Sequence, residues 1–358
     1  MPWNKEAAET LLERIREEGC SPMRLMEVCG SHTMAIAKSG IKSLLPENIS
    51  LLSGPGCPVC VTPAEEIDAV LELAMEPKVL IASYGDMLRV PGSRPGDSLE
   101  RRRALGAGVE VVYSAMDAVE LAAERPEAEV VFLGVGFETT APGTAAAVLE
   151  ARDRGIRNFS LYSLLKSVEP ALRALTSSED FMVQGFICPG HVASIIGERG
   201  FRFIPEDCGL PGVIAGFEPE EILAAICRLT ELVSKGEAVL ENCYRRAVRP
   251  EGNPLARAML DRCFQLGRDK WRGLGEIDGS GFKLREEFAD FDAEIKFEME
   301  VKAAGEPGPC RCGDVICGRI RPENCPMFGK RCTPEDPVGP CMVSSEGACA
   351  AAFKYRGL

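Results

Sequence analysis

From about residue 24 the chain alternates short apolar runs with amphipathic stretches. Residues 25–28, 79–82, 109–113, 130–135, 159–162 and 213–215 are short runs dominated by Val, Ile, Leu and Phe, and they read as buried strands. Helical spacing lies between them at 64–75, opened by Thr62-Pro63, at 116–124 and at 144–154. Such alternation predicts parallel sheets covered by helices. The first twenty residues spell an amphipathic helix too charged for a signal peptide. Near residue 250 the pattern changes. Residues 253–270 read as helix, Gly273-Leu-Gly and Asp278-Gly-Ser-Gly interrupt it, and the last fifty residues are rich in Cys, Gly and Pro with little periodicity. A segment of that kind cannot build a large core and needs staples.

An internal repeat runs through this pattern. Val28-Cys-Gly-Ser-His32-Thr-Met-Ala-Ile36 matches Ile187-Cys-Pro-Gly-His191-Val-Ala-Ser-Ile195, and Pro46-Glu47 matches Pro205-Glu206, at a constant offset of 159. The expected fold class is therefore α/β: two related α/β domains with parallel sheets, plus a Cys-rich domain. The expected boundaries are 1–23 for an N-terminal helix packing on the C-terminal part, 24–127 and 128–250 for the two α/β domains, and 251–358 for a helical and Cys-rich domain.

Charge narrows the function. Of 358 residues, 41 are Lys or Arg and 54 are Asp or Glu, a net charge of −13. Nucleic-acid binding would need a basic excess or stripe. The run Arg101-Arg102-Arg103 reads as a solvated helix face. Charge-free stretches reach 17 residues at 48–64 and 181–197, but Pro and Gly break both, so no membrane span is expected. A cytoplasmic protein is the expectation. In that compartment 16 cysteines beside two histidines mean metal, redox chemistry or catalysis rather than disulfide staples.

Five places carry candidate chemistry. Cys29-Gly-Ser-His32 follows a strand and opens a helix, where a thiolate gains from the helix dipole and a soft metal could bind sulfur; a buried structural Cys is the plainer alternative. Gly54-Pro-Gly-Cys57-Pro-Val-Cys60 suits a reversible disulfide, or else half of a zinc site whose second Cys-x-x-Cys the chain lacks. Cys188-Pro-Gly-His191 keeps the histidine without a dithiol, and His191 could orient a ligand or carry a proton. Gly134-Val-Gly136-Phe-Glu138-Thr139-Thr140 is an incomplete phosphate loop that reads better as a polar loop facing the site through Glu138. Finally, Cys310, Cys312, Cys317, Cys325, Cys332, Cys341 and Cys349 have no histidine among them and no zinc-ribbon pairs, which suits a [4Fe–4S] cluster better than zinc. Cys20, Cys227, Cys243 and Cys263 are assigned to packing.

Taken together, these motifs resemble the hydrogenase maturation protein HypD family, with Cys325-Pro-x-Phe-Gly and Cys341-Met-Val-Ser-Ser-Glu-Gly-Ala-Cys349 completing the match. The resemblance implies a scaffold for the Fe(CN)2CO group of [NiFe] hydrogenases. It implies the small chaperone HypC and the cyanide donor HypE as partners, the hydrogenase large subunit indirectly, and a [4Fe–4S] cluster. Residue by residue, Cys29 would hold the iron beside His32, Cys57 and Cys60 would pass electrons between cluster and iron site, and His191 and Glu346 would be polar site residues. Cys325, Cys332, Cys341 and Cys349 would ligate the cluster, with Cys312 as rival ligand; Cys317 sits where the family pattern has no cysteine, and its role stays open. Such a protein is a redox-active assembly scaffold rather than a turnover enzyme. The alternative is a stand-alone cluster-dependent thiol–disulfide oxidoreductase, which leaves Cys29, His32 and His191 without work.

Overall fold

The computed structural model describes residues 5–304 and 309–355. Its strands in chain order are β1 (Met23–Glu27), β2 (Ile49–Ser53), β3 (Val79–Ser83), β4 (Gly108–Val111), β5 (Glu129–Gly136), β6 (Phe159–Leu165), β7 (Gly185–Pro189), β8 (Gly212–Ala215), β9 (Leu240–Asn242), β10 (Phe264–Trp271) and β11 (Gly275–Leu284). They form a parallel sheet of order β2-β1-β7-β8-β9, a second parallel sheet of order β4-β3-β5-β6, and an antiparallel ribbon β10-β11. Strands β3, β5, β6 and β7 are buried along almost their whole length because helices cover both faces, which is why their sequences are continuous apolar runs.

The sheets do not follow the continuous division at 127/128. The first sheet takes 23–53 and 185–242, and the second lies wholly within 79–165. The chain starts one sheet, leaves to build the other, and returns. Both repeat copies therefore belong to one sheet: β1-β2 and β7-β8 are its two halves, and β1 pairs directly with β7. The offset of 159 relates the two halves of this one sheet.

The helix Lys5–Glu18 also lies elsewhere than expected. Its apolar stripe Ala8, Leu12 and Ile15 packs with Ile226 and Leu229 of the helix Pro219–Lys235, and Arg14 pairs with Glu231. It covers the first sheet rather than residues 251–358. In that last region the expected long helix stops at Cys263, and Phe264–Trp271 is strand. Aromatic residues at both ends of this segment, Phe264 and Trp271, are buried in the ribbon. The cysteine-rich segment does not form a core of its own. Val315, Ile316, Cys341 and Met342 share one buried cluster with Met26, Leu52, Val59 and Val61. No described helix is long and apolar enough to cross a membrane.

Candidate functional site: a thiol at the switch point, a disulfide and a thiol-rich segment

In the first sheet the chain runs outward to β2 from β1 and to β8 from β7, so the strand order reverses between β1 and β7. The carboxyl ends of strands at such a reversal form a natural crevice. Cys29 stands there as the N-cap of the helix Gly30–Ser39. Its sulfur is approached by the main-chain N–H groups of Ser31 and His32, which favour thiolate. Burial outweighs them, and repulsion from Glu346 and Glu27 adds to it, so the thiol is pushed up to about 12. A metal that binds this sulfur must displace a proton.

Glu27, which sequence reasoning passed over, lies beneath the cysteine. It is buried, its Oε2 accepts from Cys29 N at 3.1 Å, and its Oε1 accepts from Thr33 Oγ1. Burial raises it to about 7, against the lowering effect of bonds from Thr33, Ser53 and Cys29. Its signal was a lone acid ending an apolar strand.

The loop after β2 closes on Cys29 from the other side. Gly30 N donates to Gly56 O at 2.9 Å, and a Cβ on Gly56 would stand 2.3 Å from Cys29 N. Only glycine permits this approach. Cys57 and Cys60 follow immediately and form a disulfide across the N-terminal turn of the short helix Pro58–Val61, with Cα atoms 5.2 Å apart. Ser344 Oγ lies 3.4 Å from Cys57 Sγ. Glu346 packs on the helix start so closely that a Cβ on Gly30 would meet its Cβ at 2.4 Å, and it accepts from Ser31 Oγ at 2.9 Å. Burial raises its carboxyl. Glu346 thus stands beside Cys29, although 317 residues separate them in sequence.

The two histidines meet through a residue the sequence did not flag. Phe217, after β8, is stacked between them, with centroids 4.6 Å from His32 and 3.8 Å from His191. His32 is fully buried and lowered to about 4 by burial. Its Nε2 bonds Gly216 O at 2.8 Å, and its Nδ1 has no hydrogen-bond partner. The proton therefore resides on Nε2 and leaves a buried lone pair on Nδ1. His191 is exposed at the rim.

Glu138 goes elsewhere. Its Oε1 accepts from Val168 N and Ser167 Oγ, both at 2.9 Å, so it caps the helix Val168–Thr176. It lines a separate cleft of about 740 Å³ with Arg199, Leu260 and Phe282. The reason is topological: Glu138 follows β5, a strand of the second sheet.

Among the seven late cysteines, the sulfurs of Cys310 and Cys312 lie 3.3 Å apart, and Cys312 also meets Cys341 and Cys349. Cys332 stands beside them: its sulfur accepts from Val338 N at 3.4 Å and feels Cys310 and Cys325. Cys312, the rival ligand, is thus the thiol that meets Cys341 and Cys349, with Cys310 beside it. Cys317 points away and donates to Gly273 O at 3.4 Å. Among the described residues no three His, Cys, Asp or Glu side chains converge on a single-ion position. A four-iron cluster spreads its ligands more widely than one ion does, and the donor set here is all thiol. Gly339 completes the cradle, since a Cβ there would lie 2.6 and 2.7 Å from the sulfurs of Cys310 and Cys312. The residues present fit such a group. Of the remaining cysteines, Cys227 and Cys263 are buried as packing requires, whereas Cys20 and Cys243 are exposed.

Fold and site define a class: a cysteine-rich α/β protein whose strand-end thiol, dithiol turn and late thiols are packed in succession. Comparison with known proteins gives the family. The HypD family model, described as "Hydrogenase formation hypA family", matches residues 6–356, and the chain belongs to that family. It is 42% identical over 359 residues to the hydrogenase maturation factor HypD of Escherichia coli K12, covering 98% of this chain and 96% of that protein. The HypD of Rhodobacter capsulatus is 43% identical over 352 residues, with 97% and 93% covered. The hydrogenase expression/formation protein HupD of Azotobacter chroococcum is 42% identical over 356 residues, with 97% and 94% covered.

Proposed function

We propose that this protein is a hydrogenase maturation factor that holds an iron substrate at Cys29 while its Fe(CN)2CO form is assembled. The observation that carries this reading is contiguity. Gly56 touches Cys29, Cys57 follows Gly56, and Ser344 joins the Cys57 sulfur to the segment bearing Cys341 and Cys349. Relatives named for hydrogenase maturation support the biological setting.

Cys29 supplies a soft thiolate, the ligand type suited to low-spin iron. The N–H groups of Ser31 and His32 stabilise that thiolate, and the buried Glu27 and half-buried Glu346 flank it as carboxyls able to hold a proton. His32 Nδ1 offers an acceptor or a further ligand, and Phe217 fixes both imidazole planes. A [4Fe–4S] cluster, held by four of Cys310, Cys312, Cys325, Cys332, Cys341 and Cys349, would supply single electrons. Cys57 and Cys60 lie on the turn that runs from Gly56, against Cys29, to the Ser344 contact; as a disulfide they would take up an electron pair, and as a dithiol they would pass it on. HypC and HypE are the partners this reading requires, in the cytoplasm.

The test is infrared spectroscopy of anaerobically purified protein with and without the small chaperone, with iron and sulfide counts. Metal-bound cyanide and CO bands that disappear in Cys29→Ala are expected. Cluster iron without such bands, in every preparation, would leave a disulfide reductase instead.

A further inference from the structure

The second sheet also reverses its strand order, between β3 and β5, and the chain leaving β3 there reaches across to the segment beside Cys29. One residue past β3 it forms the short 3-10 helix Gly85–Arg89. Asp86 accepts two hydrogen bonds on one carboxylate oxygen, from Ser345 N and from Ser345 Oγ, both at 2.9 Å. Arg89, at the end of the same helix, donates through Nη2 to Pro334 O at 2.6 Å. The helix thus grips the cysteine-rich segment at two points. Ser345 stands between two residues already placed at the site. Ser344 Oγ lies 3.4 Å from Cys57 Sγ, and Glu346 accepts from Ser31 Oγ beside Cys29. Glu346 N donates to Ser344 Oγ at 3.2 Å, which leaves the hydroxyl hydrogen for the sulfur. The run Ser344-Ser345-Glu346 has no apolar side chain, so no hydrophobic group anchors it. Hydrogen bonds hold it instead, and Asp86 supplies two of them from outside the segment.

We propose that Asp86 is a positioning residue of the Cys29 site: through Ser345 it sets the Ser344 hydroxyl on Cys57 and the Glu346 carboxyl beside Cys29, and so biases the disulfide toward its reduced form. This inference deepens the redox reading above and rests on it. A sulfur freed by reduction is a stronger acceptor than a disulfide sulfur, so a hydroxyl aimed at Cys57 favours the dithiol. In glutathione buffer two glutathione thiols give up two electrons and two protons. The Cys57–Cys60 bond breaks, both cysteines end as thiols, and one glutathione disulfide forms.

The full chain is equilibrated anaerobically in glutathione redox buffers, and the Cys57–Cys60 pair is read by alkylation and peptide mass. Asp86→Ala removes the anchor, Asp86→Asn keeps an acceptor oxygen for Ser345, and Ser344→Ala removes the hydroxyl itself. S344A is expected to need an about tenfold larger ratio of squared glutathione to glutathione disulfide concentration for half-reduction, which is about 30 mV for a two-electron couple. D86A should shift as far in the same sense, and the double variant D86A/S344A no further, because both changes remove one contact. D86N should stay within about twofold of the parent protein. A folded D86A with an unmoved midpoint overturns the proposal. So does a double variant whose shift is the sum of the two, or a D86N that moves as far as D86A. Should D86A not fold, Ser345→Ala takes its place, since it removes the hydroxyl half of the anchor: a shift of about threefold in the same sense sustains the proposal and an unmoved midpoint sinks it. Absence of cyanide and CO bands from the parent protein would defeat the maturation reading while leaving the glutathione midpoints to judge Asp86.

Discussion

The two Cys-x-x-His copies end neighbouring strands of one sheet and have opposite fates. In the first, the helix begins one residue after the cysteine, so Cys29 is the N-cap and presents its sulfur to main-chain N–H groups. In the second, the helix begins two residues after it, Pro189 is the N-cap, and Cys188 remains inside β7 paired with Ile214. A shift of one residue on a strand turns a side chain to the other face. Cys188 is fully buried beside Gly212, and burial alone raises its thiol. The histidines are exchanged in the opposite sense, His32 buried and His191 exposed. A repeated motif has thus become one thiol site and one rim histidine, sharing Phe217.

The sharpest way to break this comparison is to remove each sulfur. Cys29→Ala should abolish iron-bound cyanide and CO altogether, while Cys188→Ala should retain the bands and lose only about 1 kcal/mol in denaturant unfolding. Equal loss in both would erase the distinction. Next, Gly56→Ala should cost about 3 kcal/mol or more, because its Cβ collides with the Cys29 main chain; a melting temperature equal to the parent's would refute the close approach.

The pH dependence separates Glu27 from His32. Glu27 is raised from 4.5 to about 7, so across that window the folded state holds more protons than the unfolded and stability falls as pH rises. His32 is lowered from 6.5 to about 4, so between those values the unfolded state holds more protons and stability rises with pH. The two slopes oppose each other from about 4.5 to 6.5. Glu27→Gln should leave the His32 slope exposed, a rise approaching about 3 kcal/mol over the window in urea titrations at several pH values. A profile as flat as the parent's would contradict the assignment. The smallest effect belongs to Phe217→Leu, which should cost about 1 kcal/mol and shift the His191 ring resonances; unmoved resonances would mean the stack does not persist in solution.

Much of this was readable from the chain. The runs at 79–82, 130–135 and 213–215 are strands within one or two residues, because buried parallel strands leave continuous apolar text. Cys29, His32, His191, Glu346 and the Cys57–Cys60 turn do assemble around one strand-end crevice. Sheet order was not readable, since pairing β1 with β7 leaves no local trace. For the same reason Glu138 was aimed at the wrong cleft. Phe217 and Asp86 escaped notice because nothing in their neighbours distinguishes a ring between two histidines, or a carboxylate holding a distant segment, from ordinary core and surface residues. The segment 264–271 misled because it follows the helix Pro254–Cys263 without a break, and only the ribbon that buries Phe264 and Trp271 makes it strand.

The pairing of β1 with β7 also sets a timetable. Val28 N–H must find Ile187 O, roughly 160 residues later in synthesis. At about 5–20 residues per second, a growing chain carries Cys29 for roughly ten seconds or longer before its neighbouring strand exists. Phe217 and Gly216, which hold His32, come later still, and Glu346 later again. A nascent chain therefore carries the Cys29 thiol without its surroundings until the segment that bears Glu346 and the late cysteines has been made.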